Sequence, residues 1–201
     1  ANYKIKCLDP NLLIDTILPP DNIVGSVVYP ACEIVNPGII KHIAGNRFSL
    51  GEPEGSESDR LKFISDILKT AGFRAPIQKN IRDEIWLKLI GNLSFNPISA
   101  LTGATLEQIC NDQGTELIVR AMMTEAKIIA EELGAKINMS IEKRIDGARK
   151  VGAHKTSMLQ DIEAGKPIEI DSIIIAVKEL GELTCSPTPY IDTILNLTLQ
   201  K

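Results

Sequence analysis

Lys88, Asn92 and Asn96 form a polar strip in the otherwise largely apolar helix-forming stretch Ile85–Ala100. Each is four residues from the next, and Pro97 follows directly. Four residues of α-helix advance the side chain by about 40°, so the three share an arc of about 80° on one face. A lysine donates up to three hydrogen bonds and an asparagine both donates and accepts. Such a strip suits a small, anionic, oxygen-rich ligand. Taken alone it reads first as the solvent face of a helix, with Lys88 an ordinary surface lysine. Asparagine is a poor helix former, which weighs against that plainer reading. Pro97 is expected to end or kink the helix.

A second concentration of polar groups runs from His154 to Asp171. It holds Ser157, Gln160, Asp161, Glu163, Glu169 and two lysines, and Gly165-Lys166-Pro167 breaks it. Read locally, it is a helix end followed by the start of another helix, with Asp171 as N-cap. His154 reads as a surface or structural histidine, Met122-Met123 as core, and Trp86 as a packing anchor beside the strip. The four cysteines, Cys7, Cys32, Cys110 and Cys185, lie far apart and read as small buried hydrophobes in a reducing, cytoplasmic compartment. With only two histidines and no close cysteine pair, no metal site is expected. No Gly-x-Gly-x-x-Gly or Gly-x-Ser-x-Gly occurs, so neither a dinucleotide fingerprint nor a nucleophile elbow is present.

The chain that must position these groups has 201 residues, a net charge of −4, 44% hydrophobic and 24% charged residues. This is a globular mix, and its slight acidity disfavours a nucleic-acid partner. No apolar run is long enough for a membrane span. The start, from Ala1 to Lys6, has no apolar signal-peptide core, and a first residue other than Met suggests the back end of a larger protein.

Residues 1–55 are broken by Asp9-Pro10-Asn11, Pro19-Pro20-Asp21-Asn22 and Asn36-Pro37-Gly38. Between the breaks, Ile23–Tyr29, Ile39–Ile43 and Arg47–Leu50 read as strands, the first buried on both faces. Asp9–Leu18 reads as a short helix. From residue 56 the period lengthens to about 3.6. Ser56 and Asp59 form a capping-box pattern, and Leu61, Ile64, Ile67 and Ala71 make one stripe ended by Gly72. Phe73–Gln78 reads as extended. Helices then follow one another, with Thr105, Ser140 and Thr188-Pro189 as start signals and Gly134 as a stop. The expected organisation is a β-rich piece over 1–55, a connecting helix and linker over 56–75, and an all-α domain over 76–201.

With both polar segments in view, the chain resembles the ketopantoate reductase family. The family's lysine with asparagines four and eight residues on, then proline, is matched by Lys88, Asn92, Asn96 and Pro97. Its Ser-Met-Leu-Gln-Asp run and its acidic residue before Ile-Asp are matched by Ser157–Asp161 and by Glu169-Ile170-Asp171, twelve residues from serine to glutamate. The resemblance implies a mainly α fold: an all-helical C-terminal domain preceded by the last β-strands of a truncated Rossmann domain. It implies an enzyme that uses NADPH to reduce 2-dehydropantoate to pantoate, for pantothenate and coenzyme A synthesis. Lys88 would be the general acid, Glu169 would orient it or tune its pKa, and Asn92, Asn96 and Ser157 would bind substrate oxygens. Partners would be a small 2-oxo acid and a second copy in a homodimer.

Two departures carry expectations of their own. The glycine-rich loop is missing, so the chain is expected to be the substrate-side part and inactive alone. A family asparagine after the Asn-Pro pair is replaced within Gly103-Ala104-Thr105-Leu106, which leaves open another 2-oxo acid. A helical dimerisation or ligand-binding module without catalysis is the alternative from another class, and a dehydrogenase of hydroxy or sugar acids is disfavoured by the Ser157–Glu169 spacing.

Overall fold

The computed structural model describes residues 4–201, the side chain of Asp15 excepted. The start at Ala1 lies outside the described residues. The chain divides into two compact units, and the division falls between Ile85 and Trp86.

The unit Ile14–Ile85 is the β-containing one. A four-residue helix α1 (Ile14–Ile17) stands where a short helix over Asp9–Leu18 was expected, and a 3-10 turn follows at Pro20–Asn22. Pro19 and Pro20 lack backbone N–H groups, so α1 does not continue into that turn. Strand β1 (Gly25–Val28) is followed by β2 (Ala31–Asn36), β3 (Ile39–Ala44) and β4 (Phe48–Gly51). β2 was not expected, because Pro30 and Glu33 obscure its pattern. It pairs antiparallel with β3 across the Asn36-Pro37-Gly38 turn. β1 pairs antiparallel with β4, and β4 is extended by parallel bridges to Arg74 and Ile77. Only Val27 of β1 is buried, so that strand is covered on one face rather than both.

Helix α2 (Asp59–Thr70) begins at Ser58, whose hydroxyl accepts from the Leu61 N–H, so the cap sits two residues after the expected Ser56. Leu50, Leu61 and Ala75 form the small core beneath it. The buried Glu52 carboxylate explains the shift. It accepts from the Ser58 hydroxyl and takes both Arg60 Nε (2.8 Å) and Nη2 (2.6 Å). Arg60 also reaches the carbonyls of Asp21 and Ile23. These charge-assisted bonds, first of all those from Arg60, hold the Glu52 carboxyl at about 2, from an ordinary value of 4.5.

Helix α3 (Ile81–Thr102) opens against the β1–β4 pair. A Cβ at Gly51 would stand 2.7 Å from Ile81 Cβ, and one at Gly25 3.0 Å from the Ile81 side chain, so only glycine allows this approach. Glu84 fastens the same turn. Its Oε1 accepts from the Tyr29 hydroxyl (2.7 Å), Arg47 Nη2 (2.7 Å) and the Ser49 hydroxyl (3.2 Å).

The other unit comprises Trp86–Lys201 together with described residues up to Leu13. It is helical: the rest of α3, then α4 (Leu106–Asn111), α5 (Gln113–Glu132), α6 (Ile141–Val151), α7 (Ser157–Glu163), α8 (Ala176–Leu183) and α9 (Pro189–Thr198). The chain is mainly α, as expected. Thr105 completes a capping box with Gln108, and Ser140 caps α6. Gly134, with φ +88°, follows the end of α5. The core gathers around α5, where Val119, Met122, Met123, Ala126 and Ile129 are fully enclosed with Leu93, Ile145, Ile174 and Ile191.

Pro97, expected to end or kink its helix, lies inside α3 and does not end it. Leu93–Ala100 is buried without interruption, and that packing carries the helix past the missing N–H. Of the cysteines only Cys110 is buried, whereas Cys32 and Cys185 are exposed and Cys7 is intermediate; all four are free thiols. Asp171 is no N-cap. It opens a π-helical turn, Asp171–Ile175, that runs directly into α8.

The start of α9 is capped from a distance. The Thr188 side chain makes no cap bond. Instead the buried Glu125 of α5 accepts from the backbone N–H of Tyr190 and of Ile191, both at 2.9 Å. This satisfies donors that a helix start leaves open, and it sets a carboxylate at the positive end of the helix.

Candidate active site

The strip on α3 is graded in depth. Lys88 and Asn92 are half-buried, and Asn96 is buried at 5% exposure. Lys88 is therefore no ordinary surface lysine. Burial pushes its ammonium below the usual lysine value, and the negative charge of Glu169 partly opposes that shift. A lysine so placed gives up its proton closer to neutral pH than a free one.

Ser157 is the first residue of α7, exposed at the helix start. Thr156 before it is buried and caps α7 by accepting from Leu159 N (3.3 Å). The N-terminus of α7 thus presents the serine hydroxyl toward α3. Asn96 Nδ2 donates to Ser157 Oγ at 3.5 Å, a long bond that leaves both groups capacity for a further partner.

Glu169 is exposed and precedes the π turn by two residues. Its carbonyl accepts from Ile173 N at 3.3 Å, and the Ala176 N–H closes the π turn on the Asp171 carbonyl. Ile173, Ile174 and Ile175 are β-branched and restrict χ1, which disfavours a regular helical turn here. π turns are rare and often mark functional positions. The run Asp-Ser-Ile-Ile-Ile was the available signal for it.

Of the expected site residues, Asn96 and Ser157 are brought together by a hydrogen bond, and the charge of Glu169 acts on Lys88. Asn92 stands one turn from both Lys88 and Asn96 on the same face. Gly91, next to it, serves another purpose. The Arg144 guanidinium of α6 lies where a side chain would be, and a Cβ at Gly91 would stand 2.8 Å from Arg144 Cζ. Elsewhere in the second segment, Lys155 pairs with Glu163 at 2.6 Å on the surface, a contact of little energetic weight. His154 is exposed.

The arrangement offers a polarising cation with a transferable proton, amide and hydroxyl groups for oxygen atoms, and a carboxylate that acts on the cation. Among the described residues no helix is long and apolar enough to cross a membrane, and no group of three His, Cys, Asp or Glu side chains is placed to hold a metal.

Comparison with known proteins points the same way. Residues 80–201 match the family described as ketopantoate reductase PanE/ApbA C terminal. The 2-dehydropantoate 2-reductase of Mesorhizobium japonicum is 51% identical over 194 residues, 96% of this chain and 60% of that protein. A candidate ketopantoate reductase from Ralstonia solanacearum MolK2 superposes with a TM-score of 0.94 at 40% identity, covering 99% of this chain and 61% of that one. A D-mandelate dehydrogenase solved with NADH shares the fold, with a TM-score of 0.84 at 21% identity over 94% of this chain and 65% of that one. The chain thus spans about 60% of the length of these two reductases.

Proposed function

Since the chain belongs to the ketopantoate reductase family, we propose that it is the substrate-side part of an NADPH-dependent reductase that converts 2-dehydropantoate to pantoate in the cytoplasm. The observation that carries this reading is the strip on α3, half-buried Lys88 and Asn92 with buried Asn96, the last bonded to Ser157. In the same reading residues 1–55 are the last strands of the dinucleotide domain, 56–75 connect, and 76–201 bind substrate.

The chain's own contribution is to the oxo acid. Lys88 Nζ donates a hydrogen bond to the ketone oxygen, draws electron density from the carbonyl carbon, and gives up a proton as that oxygen becomes a hydroxyl. Glu169 keeps the lysine charged until the proton is needed. Asn92 holds a substrate oxygen beside the lysine, and the Asn96–Ser157 pair receives the carboxylate or the hydroxyl with the donors that remain. The sequence holds no Gly-x-Gly-x-x-Gly loop, so these residues form no pyrophosphate cradle, and no step is assigned to the nicotinamide here.

Pairing of two copies is part of the proposal. A structural neighbour is a dimeric ketopantoate reductase from Staphylococcus aureus, and its likeness supports the fold from which such pairing would arise.

A second reading, reduction of a different 2-oxo acid, is favoured by one observation. Thr105, in the stretch where the family's further asparagine is missing, is committed to capping α4. The deciding assay is NADPH oxidation by the full-length protein with 2-dehydropantoate and then with other 2-oxo acids, with the 201-residue chain as control. Turnover of 2-dehydropantoate by the full-length protein alone supports the first reading. Turnover of another oxo acid only supports the second. Failure with every oxo acid leaves a non-catalytic helical module.

A further inference from the structure

We propose that Cys7 and Glu179 are positioning residues for Glu169: they clasp residues 5–9 across the π-helical turn and so fix the backbone from which Glu169 faces Lys88. The proposal rests on the Lys88–Glu169 pair put forward under Proposed function.

The clasp grips both sides of the turn. The Glu179 carboxylate, on α8 beyond the turn, accepts from two successive backbone groups, Lys6 N at 2.6 Å and Cys7 N at 3.1 Å. The Cys7 thiol donates to the Asp171 carbonyl, at the start of the turn, over 3.8 Å. That same carbonyl receives the Ala176 N–H that defines the π turn. One short segment is therefore tied to the first residue of the turn and to the helix that follows it.

The segment is shaped to hold this position. Leu8 N and Asp9 N both donate to the Ile5 carbonyl, at 3.2 and 3.1 Å, and Leu13 N donates to Asp9 Oδ1 at 2.9 Å. Burial, then the charges of Glu179 and Asp171, push the Cys7 thiol up, so it stays protonated and keeps its donor. π turns are rare and often sit at functional positions. The Glu169 backbone, from which its exposed side chain starts, is tied into this one, its carbonyl accepting from Ile173 N.

The test follows the Lys88 amine through its titration by ¹³Cε-lysine NMR in the 201-residue chain. Glu169→Gln sets the reference, a fall in the lysine's midpoint. Cys7→Ala is expected to lower it in the same direction by about half as much or more, with thermal unfolding unchanged. Cys7→Ser, which keeps a donor, should restore it, and Glu179→Gln should behave as Cys7→Ala does. In the Glu169→Gln background, Cys7→Ala should have no further effect, which is the signature of coupling. A Cys7→Ala shift that persists in that background, or no shift where Glu169→Gln gives one, overturns the clasp and leaves the reductase reading standing. A midpoint insensitive to Glu169→Gln removes the pair itself, and both fall.

Discussion

Glu125 Oε2 stands 2.9 Å from the backbone nitrogen of Ile191, 66 residues further along the chain. Its second oxygen binds Tyr190 N at the same distance. One buried carboxylate therefore does for α9 what an adjacent Ser or Asp does for most helices. Removing it leaves two donors unsatisfied in the interior. Glu125→Ala is expected to lower stability by about 2–3 kcal/mol in urea unfolding, and Glu125→Gln, which keeps one acceptor, by less. The pH dependence has a definite sign. Burial raises the Glu125 pKa above its ordinary 4.5. The advantage of wild type over Glu125→Gln is thus fullest below 4.5 and declines as pH rises through the higher folded value.

Glu52 gives the opposite slope. Its carboxyl is held at about 2 by Arg60 and Ser58. The stability it contributes is present above its ordinary value of 4.5 and is lost as pH falls through about 2. Amide protection factors at β4 and at the start of α2, with the intrinsic pH dependence of exchange divided out, should fall between pH 4.5 and 2 in wild type. In Glu52→Gln protection should be lower at neutral pH and flat across that window.

The approach of α3 to the sheet makes Gly51 sensitive. In Gly51→Ala the new methyl would meet Ile81 Cβ at 2.7 Å, and neither atom can turn away. A loss of about 1–3 kcal/mol is expected. Gly38→Ala, where no atom lies within 4 Å but φ is +78°, should cost only the backbone strain of that turn, about 1 kcal/mol. Thermal unfolding of the two variants compares them.

In the full-length protein, Lys88→Ala should reduce kcat for the oxo acid by about 10²- to 10⁴-fold, the usual reach of a general acid. Under the proposed function, in which Asn96 and Ser157 bind substrate oxygens and transfer no proton, Asn96→Ala and Ser157→Ala should act chiefly on KM. Steady-state kinetics would show the split, and a Lys88→Ala enzyme with unaltered kcat would remove the lysine from the chemistry.

The helical half was legible because its starts and stops are local. Thr105, Ser140 and Gly134 lie at the boundaries they signal. The strip was legible as a period of four. What the sequence obscured depends on distant partners. Ser58 rather than Ser56 caps α2 because Glu52 and Arg60 converge there. Thr188 opens α9 without capping it because Glu125 does so from α5. Asp171 looked like an N-cap because the triple isoleucine that widens the turn gives no simple periodic sign. Cys32 and Cys185 looked apolar by composition, and their exposure is decided by tertiary placement.

Arg144 and Gly91 carry a consequence for descent. The guanidinium occupies the volume a side chain at position 91 would need, so a larger residue there requires the Arg144 side chain to swing away or to be shorter. Among relatives, a larger residue at the place of Gly91 should arrive together with a shorter one at the place of Arg144. The two columns should change in step although 53 residues separate them in this chain.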